Sequence, residues 1–88
     1  MYTVISADSF EKDFKKLDYS VQKLIKRWID RHLINCEDPR AYGKALSANL
    51  IGYWRYRIGD YRIIAEIRDS ELIVIAVRVS HRSFVYKK

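Results

Sequence analysis

The sequence predicts an α+β fold in which two helices cover one face of a curved, mostly antiparallel sheet, in the order β-α-α-β-β-β. Two stretches in the first half carry apolar residues at helical spacing. Three strand-like stretches follow in the second half, and Gly59-Asp60 joins two of them as a tight turn. With a length of 88 residues, we expect residues 1–88 to form a single domain.

The first half of the chain contains the signals for one strand and one short helix. Tyr2 to Ile5 is a short apolar strand candidate. Asp8, with Glu11 three residues later, has the pattern of a helix N-cap with a capping box. The residues that then fall on one helix face are Phe10, Phe14 and Leu17.

A second helix is predicted from Asp18 as its N-cap, and Asp38-Pro39 stops it. It should cover about 17 residues, roughly 25 Å. Its lysines and arginines lie off the apolar stripe, so we interpret them as a solvated surface that adds long-range attraction for anions. The stripe consists of Val21, Leu24, Ile25, Trp28, Ile29 and Leu33.

The second half is dominated by strands. We interpret Glu37 to Leu50 as a loop or a broken helical turn. The predicted strands are Gly52 to Ile58, Tyr61 to Arg68 and Leu72 to Val79. Because Leu72 to Val77 is apolar on both faces, we expect this last strand to be the central, buried one.

The hairpin between the first two of these strands concentrates positive charge. A type II′ turn with Gly59 at its first central position pairs Ile58 with Tyr61 and places Arg57 directly opposite Arg62. Alternation puts Arg55 on the same face as Arg57. Like charges directly opposite each other destabilise a sheet. We therefore expect an anion over these guanidinium groups, and a nucleic-acid phosphate is the favoured one.

Further polar residues follow the last strand, at His81, Arg82 and Tyr86. Together with the arginines they suit cleavage of RNA, whose own 2′-hydroxyl is the nucleophile. Guanidinium groups stay cationic and stabilise charge on phosphorus. His81 is the group that changes protonation near neutral pH, while Tyr86 could stack on a base, orient the phosphate or share proton transfer.

A simpler interpretation remains open for each of these residues. Basic side chains on an edge strand also prevent aggregation. Arg62 could form an ion pair with Glu66 on the same face, and the C-terminal residues could be surface or packing residues.

Composition favours an anionic partner and makes several classes of protein improbable. The net charge is +6, from 17 Lys and Arg against 11 Asp and Glu. Cys36 is the single cysteine, so no internal disulfide and no cysteine-based zinc site are expected. No apolar run approaches the roughly 20 residues of a membrane span, and the N-terminus lacks a signal-peptide pattern. We expect a cytoplasmic protein with no cofactor, no metal and no membrane partner.

The hairpin and the C-terminal motif resemble the RelE branch of the RelE/ParE toxin superfamily. The matching segments are Gly43 to Leu46, Gly52, Trp54 to Ile64, Glu66 to Ile67 with Asp69, Val79 to Arg82, and Val85-Tyr86. The resemblance extends over nearly the whole chain. It implies the toxin of a type II toxin–antitoxin pair. Such a toxin is an endonuclease that cleaves mRNA in the ribosomal A site by 2′-hydroxyl attack, and a RelB-like antitoxin blocks it.

The resemblance also implies roles for individual residues. Arg55 and Arg57 stand where well-known members carry lysines, and arginine hardly ever gives up a proton, so His81 becomes the better proton carrier. The implied catalytic residues are Arg62, His81, Arg82 and Tyr86. The implied RNA- and phosphate-binding residues are Lys44, Arg55 and Arg57. Two alternatives are a ParE-like toxin that poisons DNA gyrase and a non-catalytic nucleic-acid-binding domain.

Overall fold

The computed structural model describes residues 1–83 and confirms the predicted fold class. In this part of the chain, five strands form one sheet in the order β1-β5-β4-β3-β2, with β1 parallel to β5 and the other pairs antiparallel. The elements are β1 (Thr3–Ser6), α1 (Asp8–Lys15), α2 (Tyr19–His32), β2 (Gly43–Ala45), β3 (Trp54–Ile58), β4 (Tyr61–Arg68) and β5 (Ile73–His81). No helix within residues 1–83 is long and apolar enough to span a membrane.

Both helices pack on the same face of the sheet and form one core with it. The predicted apolar stripes supply the helical part of this core, although Leu24 of the second stripe is 43% exposed. The buried residues from the helices and the turn after α2 are Phe10, Ile25 and Leu33. Those from the sheet are Tyr56, Ile58, Ile63, Ala65, Val74, Ala76 and Val79.

The helix ends differ in detail from the predictions. The predicted capping box is wrong, because Ala7 is the N-cap of α1 and Asp8 is already helical. Asp18 is the N-cap of α2 as predicted, but its side chain makes no cap hydrogen bond. The helix has 14 residues and is shorter than predicted. Just beyond it, Asn35 has a positive φ of 61°, a conformation that cannot continue a right-handed helix.

The segment 37–50 contains a strand that the sequence interpretation missed. β2 pairs with β3 and places Lys44 directly opposite Arg55. Gly43 makes this pairing possible, because a Cβ there would lie 2.6 Å from Nε1 of Trp54 and would also collide with the carbonyl oxygen of Arg55. The loop interpretation was therefore wrong for Gly43–Ala45. The sequence signal for this strand is a single glycine, which allows the close approach to β3.

The hairpin of β3 and β4 has the predicted register. Gly59 has a φ of 57°, the positive value that a type II′ turn requires at its first central residue. Ile58 pairs with Tyr61, and Arg57 pairs with Arg62. One face of the hairpin therefore enters the core, and the other carries the arginines.

β5 is an inner strand but not the central one, which is β4. Leu72 is not part of it, because this residue has a φ of 56° in the preceding turn. The residues that alternate with the buried Val74 and Ala76 are only half-buried. The prediction of a central strand buried on both faces was therefore wrong, because helices cover only one face of this sheet.

A register shift divides β5 into two parts. Ala65 pairs with Ala76 but Ile64 pairs with Arg78, so Val77 has no partner on β4 and forms a bulge. β1 accompanies β5 only as far as Ala76. Beyond that point α1 takes its place at the edge of β5, because the Ser9 hydroxyl donates to the Val77 carbonyl at 2.6 Å.

Asp13 of α1 completes this edge. Its Oδ2 accepts from the backbone N–H of Val79 at 3.1 Å and from Nε of Arg78 at 2.8 Å. Burial alone would raise the pKa of the Asp13 carboxyl. The hydrogen bonds from Arg78 and Val79, with the charge of Arg78, lower the pKa below its usual value of 3.8. The ionised carboxylate therefore stabilises the folded state.

We expect Asp13→Asn to lower the free energy of unfolding by about 1–2 kcal/mol at pH 7, since a charged hydrogen-bond acceptor is lost from a partly exposed pair. Because folding lowers this pKa, the contribution is complete above the usual value of 3.8 and is lost as the pH falls through the lowered folded-state pKa. Urea unfolding over a pH series measures the difference. Asp30→Asn, at an exposed position of α2, is the matched control. A gap between wild type and Asp13→Asn that stays constant into strong acid would contradict this account.

Candidate nucleic-acid interface

Four basic side chains that have no carboxylate partner within residues 1–83 lie on neighbouring strands of the sheet face that the helices leave open. Lys44 lies opposite Arg55, and Arg57 lies opposite Arg62. Paired residues project from the same face of a sheet, and residues two apart on one strand do so as well. We call Lys44, Arg55, Arg57 and Arg62 the basic face. It spans three neighbouring strands, β2, β3 and β4.

Two arginines of the basic face have buried donors without an acceptor. Within residues 1–83, the Nε atoms of Arg55 and Arg62 are buried and have no hydrogen-bond partner. A buried donor that lacks a partner is costly, and most such atoms in folded proteins are satisfied. An oxyanion bound on this face would offset the repulsion between the guanidinium groups, and a shift of the side chains would be needed to bring its oxygens to the buried Nε donors.

Three other arginines of the described chain have close carboxylate partners, which contrasts with the basic face. Three such arginines each make an ion pair with an N–O distance of 2.8–2.9 Å. These pairs are Arg40–Asp69, Arg68–Glu66 and Arg78–Asp13. Since Glu66 is held by Arg68, the alternative pair between Glu66 and Arg62 is not the arrangement that the structure shows.

A cleft opens beside the basic face. It has a volume of about 390 Å³ and is lined by the segment from Ala41 to Lys44 together with Arg55 and Arg57. This volume is in the range of small-ligand sites. Tyr42 forms part of its wall and was missed by the sequence analysis. The available signal was an aromatic residue two positions before Lys44, inside a segment interpreted as a loop.

His81 lies on the other side of the sheet from the basic face. It pairs with Tyr61, and the two rings meet nearly at right angles with centroids 5.3 Å apart. Tyr61 packs against the core, so His81 is on the helix side. The bulge at Val77 is the reason, because strict alternation from the inward-facing Val74 would have placed His81 on the open face.

The tautomer of His81 is set by its neighbour. The backbone N–H of Ser83 donates to Nδ1 of His81 at 3.1 Å, and the Ser83 hydroxyl lies 2.8 Å from the same nitrogen. Because a backbone amide only donates, Nδ1 is an acceptor here and the neutral ring carries its proton on Nε2. His81 is exposed, so this N–H is available to a ligand at the end of the sheet.

Arg82 is tied to the hairpin turn. Its backbone N–H donates to the Asp60 carbonyl at 2.6 Å, and its Nε lies 3.3 Å from Asp60 Oδ1. The backbone bond fixes Arg82 beside the end of the hairpin that carries Arg57 and Arg62. Both side chains of the ion pair are 66% exposed, so this pair contributes little to stability. Tyr86, the remaining predicted site residue, lies outside the described residues.

Nothing in the described chain gives Cys36 or the acidic residues a metal-binding arrangement. Across residues 1–83, no group of three or more His, Cys, Asp or Glu side chains is placed to hold an ion. The Cys36 thiol is half-buried, and burial raises its pKa, which favours the unreactive protonated form.

Comparisons with known proteins identify the family of this chain. A model of the ParE toxin of type II toxin–antitoxin systems, parDE, matches residues 4–86. The toxin RelG of Mycobacterium tuberculosis is 29% identical over 87 residues, which cover 99% of this chain and 98% of RelG.

Two solved structures extend the comparison to the fold. The RelBE2 toxin–antitoxin complex of Mycobacterium tuberculosis matches with a TM-score of 0.80 and 28% identity, over 94% of this chain and 93% of that chain. The isolated E. coli RelE toxin matches with a TM-score of 0.73 and 18% identity, over 100% and 88% of the two chains. Since the family model spans nearly the whole sequence, the chain belongs to the ParE toxin family of type II toxin–antitoxin systems, within the RelE/ParE superfamily.

Proposed function

We propose that the protein is a ribosome-dependent endonuclease that cleaves mRNA in the ribosomal A site and so inhibits translation. The observation that carries the proposal is the pair of buried, unpartnered Nε atoms of Arg55 and Arg62 on the basic face. An RNA phosphate on the basic face would neutralise these guanidinium groups, and a shift of the arginine side chains would bring its oxygens to the unpartnered donors. The similarity to RelE-type toxins points to the same activity.

In the proposed reaction, the RNA 2′-hydroxyl attacks the adjacent phosphorus. The new O2′–P bond closes a cyclic phosphate, and the bond to the 5′-oxygen breaks. Arg62 and Arg82 stabilise the charge that develops on the phosphoryl oxygens. Lys44, Arg55 and Arg57 hold the substrate by its phosphates, as cations do along a nucleic-acid backbone.

Proton transfer falls to His81 or Tyr86, because arginines do not exchange protons at neutral pH. The 2′-oxygen must lose a proton, and the departing 5′-oxygen must gain one. In the neutral ring of His81 the proton is on Nε2, since Ser83 donates to Nδ1. This tautomer suits hydrogen-bond donation to the 5′-oxygen or to a phosphate.

A RelB-like antitoxin is the proposed protein partner. The RelBE2 structure is a toxin–antitoxin complex. In this proposal the antitoxin blocks access to the basic face, and the net charge of +6 attracts the ribosomal RNA that surrounds the A site.

Alanine variants tested in a cell-free translation system should rank according to their place in the site. We expect Arg62→Ala and Arg82→Ala to reduce the rate of mRNA cleavage by about a hundredfold or more, since each removes a cation that stabilises the transition state. His81→Ala should follow. Mapping of mRNA ends measures the cleavage rates. Lys15→Ala, at an exposed position of α1, is the control. No new ends on translated message at doses that stop protein synthesis, or an equal loss for Lys15→Ala, would sink the proposal.

Arg57→Gln should change stability and activity in opposite directions. Removing one of two like charges that face each other should raise the free energy of unfolding by about 0.5 kcal/mol at low salt, with a smaller gain at high salt. The same variant should cleave mRNA more slowly, because a phosphate contact is lost. Urea unfolding at two salt concentrations and the cleavage assay measure the two effects. Lys12→Gln, at an exposed position of α1, controls for net charge. A loss of both stability and activity would assign Arg57 to the fold alone.

The second candidate function is poisoning of DNA gyrase, and the matching model of the ParE toxin favours it. A gyrase supercoiling assay separates the two functions. If the nuclease proposal is right, purified protein should leave supercoiling unchanged at concentrations that cleave translated mRNA. Inhibition of gyrase without mRNA cleavage would refute the nuclease proposal and support gyrase poisoning.

A further inference from the structure

We propose that Tyr42 is a stacking platform for an unpaired base of the RNA whose phosphates bind the basic face. This inference rests on the proposed function and adds to it a residue that contacts a base. Tyr42 lines the cleft together with Lys44, Arg55 and Arg57, and its residue surface is 48% exposed. An aromatic ring beside cations that bind phosphate is the arrangement by which proteins hold single-stranded nucleic acid.

Tyr42 contacts two other aromatic rings, and 48% of its residue surface stays exposed. The ring meets those of His32 and Trp28 nearly at right angles, at centroid distances of 5.0 Å and 6.3 Å. His32 and Trp28 are themselves stacked, with centroids 4.6 Å apart, so they approach Tyr42 from the same side. In this proposal the base stacks on Tyr42 from the side opposite these two rings.

The backbone that carries Tyr42 is held in place before any ligand binds. The Asp38 side chain accepts from the Arg40 N–H at 3.0 Å and caps the short 3₁₀ turn. The buried Tyr56 hydroxyl donates to the Pro39 carbonyl at 2.6 Å. On the other side of Tyr42, Gly43 lies tightly against β3. A preorganised ring loses little conformational entropy when a base stacks on it.

The chemistry selects a single strand over a duplex, and the proposed function makes that strand RNA. Bases in a duplex are stacked on one another and offer no free face to a side chain, whereas unpaired bases are commonly stacked on aromatic residues. Because every base has a π face, this contact should tolerate all four bases. Tyr42 would therefore orient the strand in the cleft without reading its sequence.

The test uses 2′-O-methyl RNA hexamers, which lack the free 2′-hydroxyl and are not cleaved. One hexamer is intact, and each of the others lacks a single base. We expect Tyr42→Leu to weaken binding of the intact hexamer about tenfold. At least one abasic hexamer should bind wild type about tenfold more weakly but show no further loss with Tyr42→Leu. Tyr42→Phe should bind like wild type, and Tyr19→Leu, at an exposed tyrosine of α2, is the control.

Three results would overturn the inference. They are unchanged binding of the intact hexamer by Tyr42→Leu, an equal loss for the intact and all abasic hexamers, and no binding of any hexamer by wild type. Thermal unfolding of Tyr42→Leu shows whether the fold is kept, and Tyr42→Met provides a second non-aromatic variant. Cleavage of translated mRNA by wild type is measured separately. Its absence would refute the proposed function, whereas the hexamer series decides the role of Tyr42.

Discussion

The register of the β3–β4 hairpin is the constraint on which the core and the basic face both depend. A two-residue turn at Gly59-Asp60 pairs Arg57 with Arg62 and, by alternation, turns Tyr56 and Ile63 into the core. A slip of one residue would exchange the two faces of a strand. The apolar residues on one face therefore fix where the arginines stand on the other. The sheet cannot relieve the repulsion between the arginines by moving a strand without losing the core.

The acidic residues of the described chain do not relieve the repulsion between Arg57 and Arg62. Asp13 and Asp69 pair with arginines elsewhere in the described chain, and Glu66 is held by Arg68. None of these ion pairs neutralises Arg55 or Arg62, whose Nε atoms stay without an acceptor within residues 1–83. A small domain has only a few kcal/mol of net stability. The unpartnered arginines lower this net stability. Binding of an anionic ligand explains such a loss better than a gain in solubility does.

Local pattern was enough to predict the hairpin, the two helices and the arginine face, because strand alternation and helical spacing are properties of neighbouring residues. It failed for β2, whose three residues form a strand only because Gly43 allows close contact with β3. It also failed for His81, since one bulged residue, Val77, reverses the alternation of β5 before the strand ends. At the bulge, Ser9 of α1 donates to the Val77 carbonyl, a contact from outside the sheet. No pattern within the strand records that contact.

The bulge separates the basic face from His81, one of the two residues to which the proposed reaction assigns proton transfer. In the proposed reaction the RNA therefore has to pass the end of the sheet, where Arg82 joins the two sides. Its ion pair with Asp60 is exposed and worth little, so exchange of the carboxylate for a phosphate costs little energy. The backbone bond from Arg82 to the Asp60 carbonyl can meanwhile persist. In the proposed reaction the Arg82 side chain can therefore move from Asp60 to a phosphate while the hairpin keeps its conformation. The hairpin turn thus holds Arg82 in place beside the basic face.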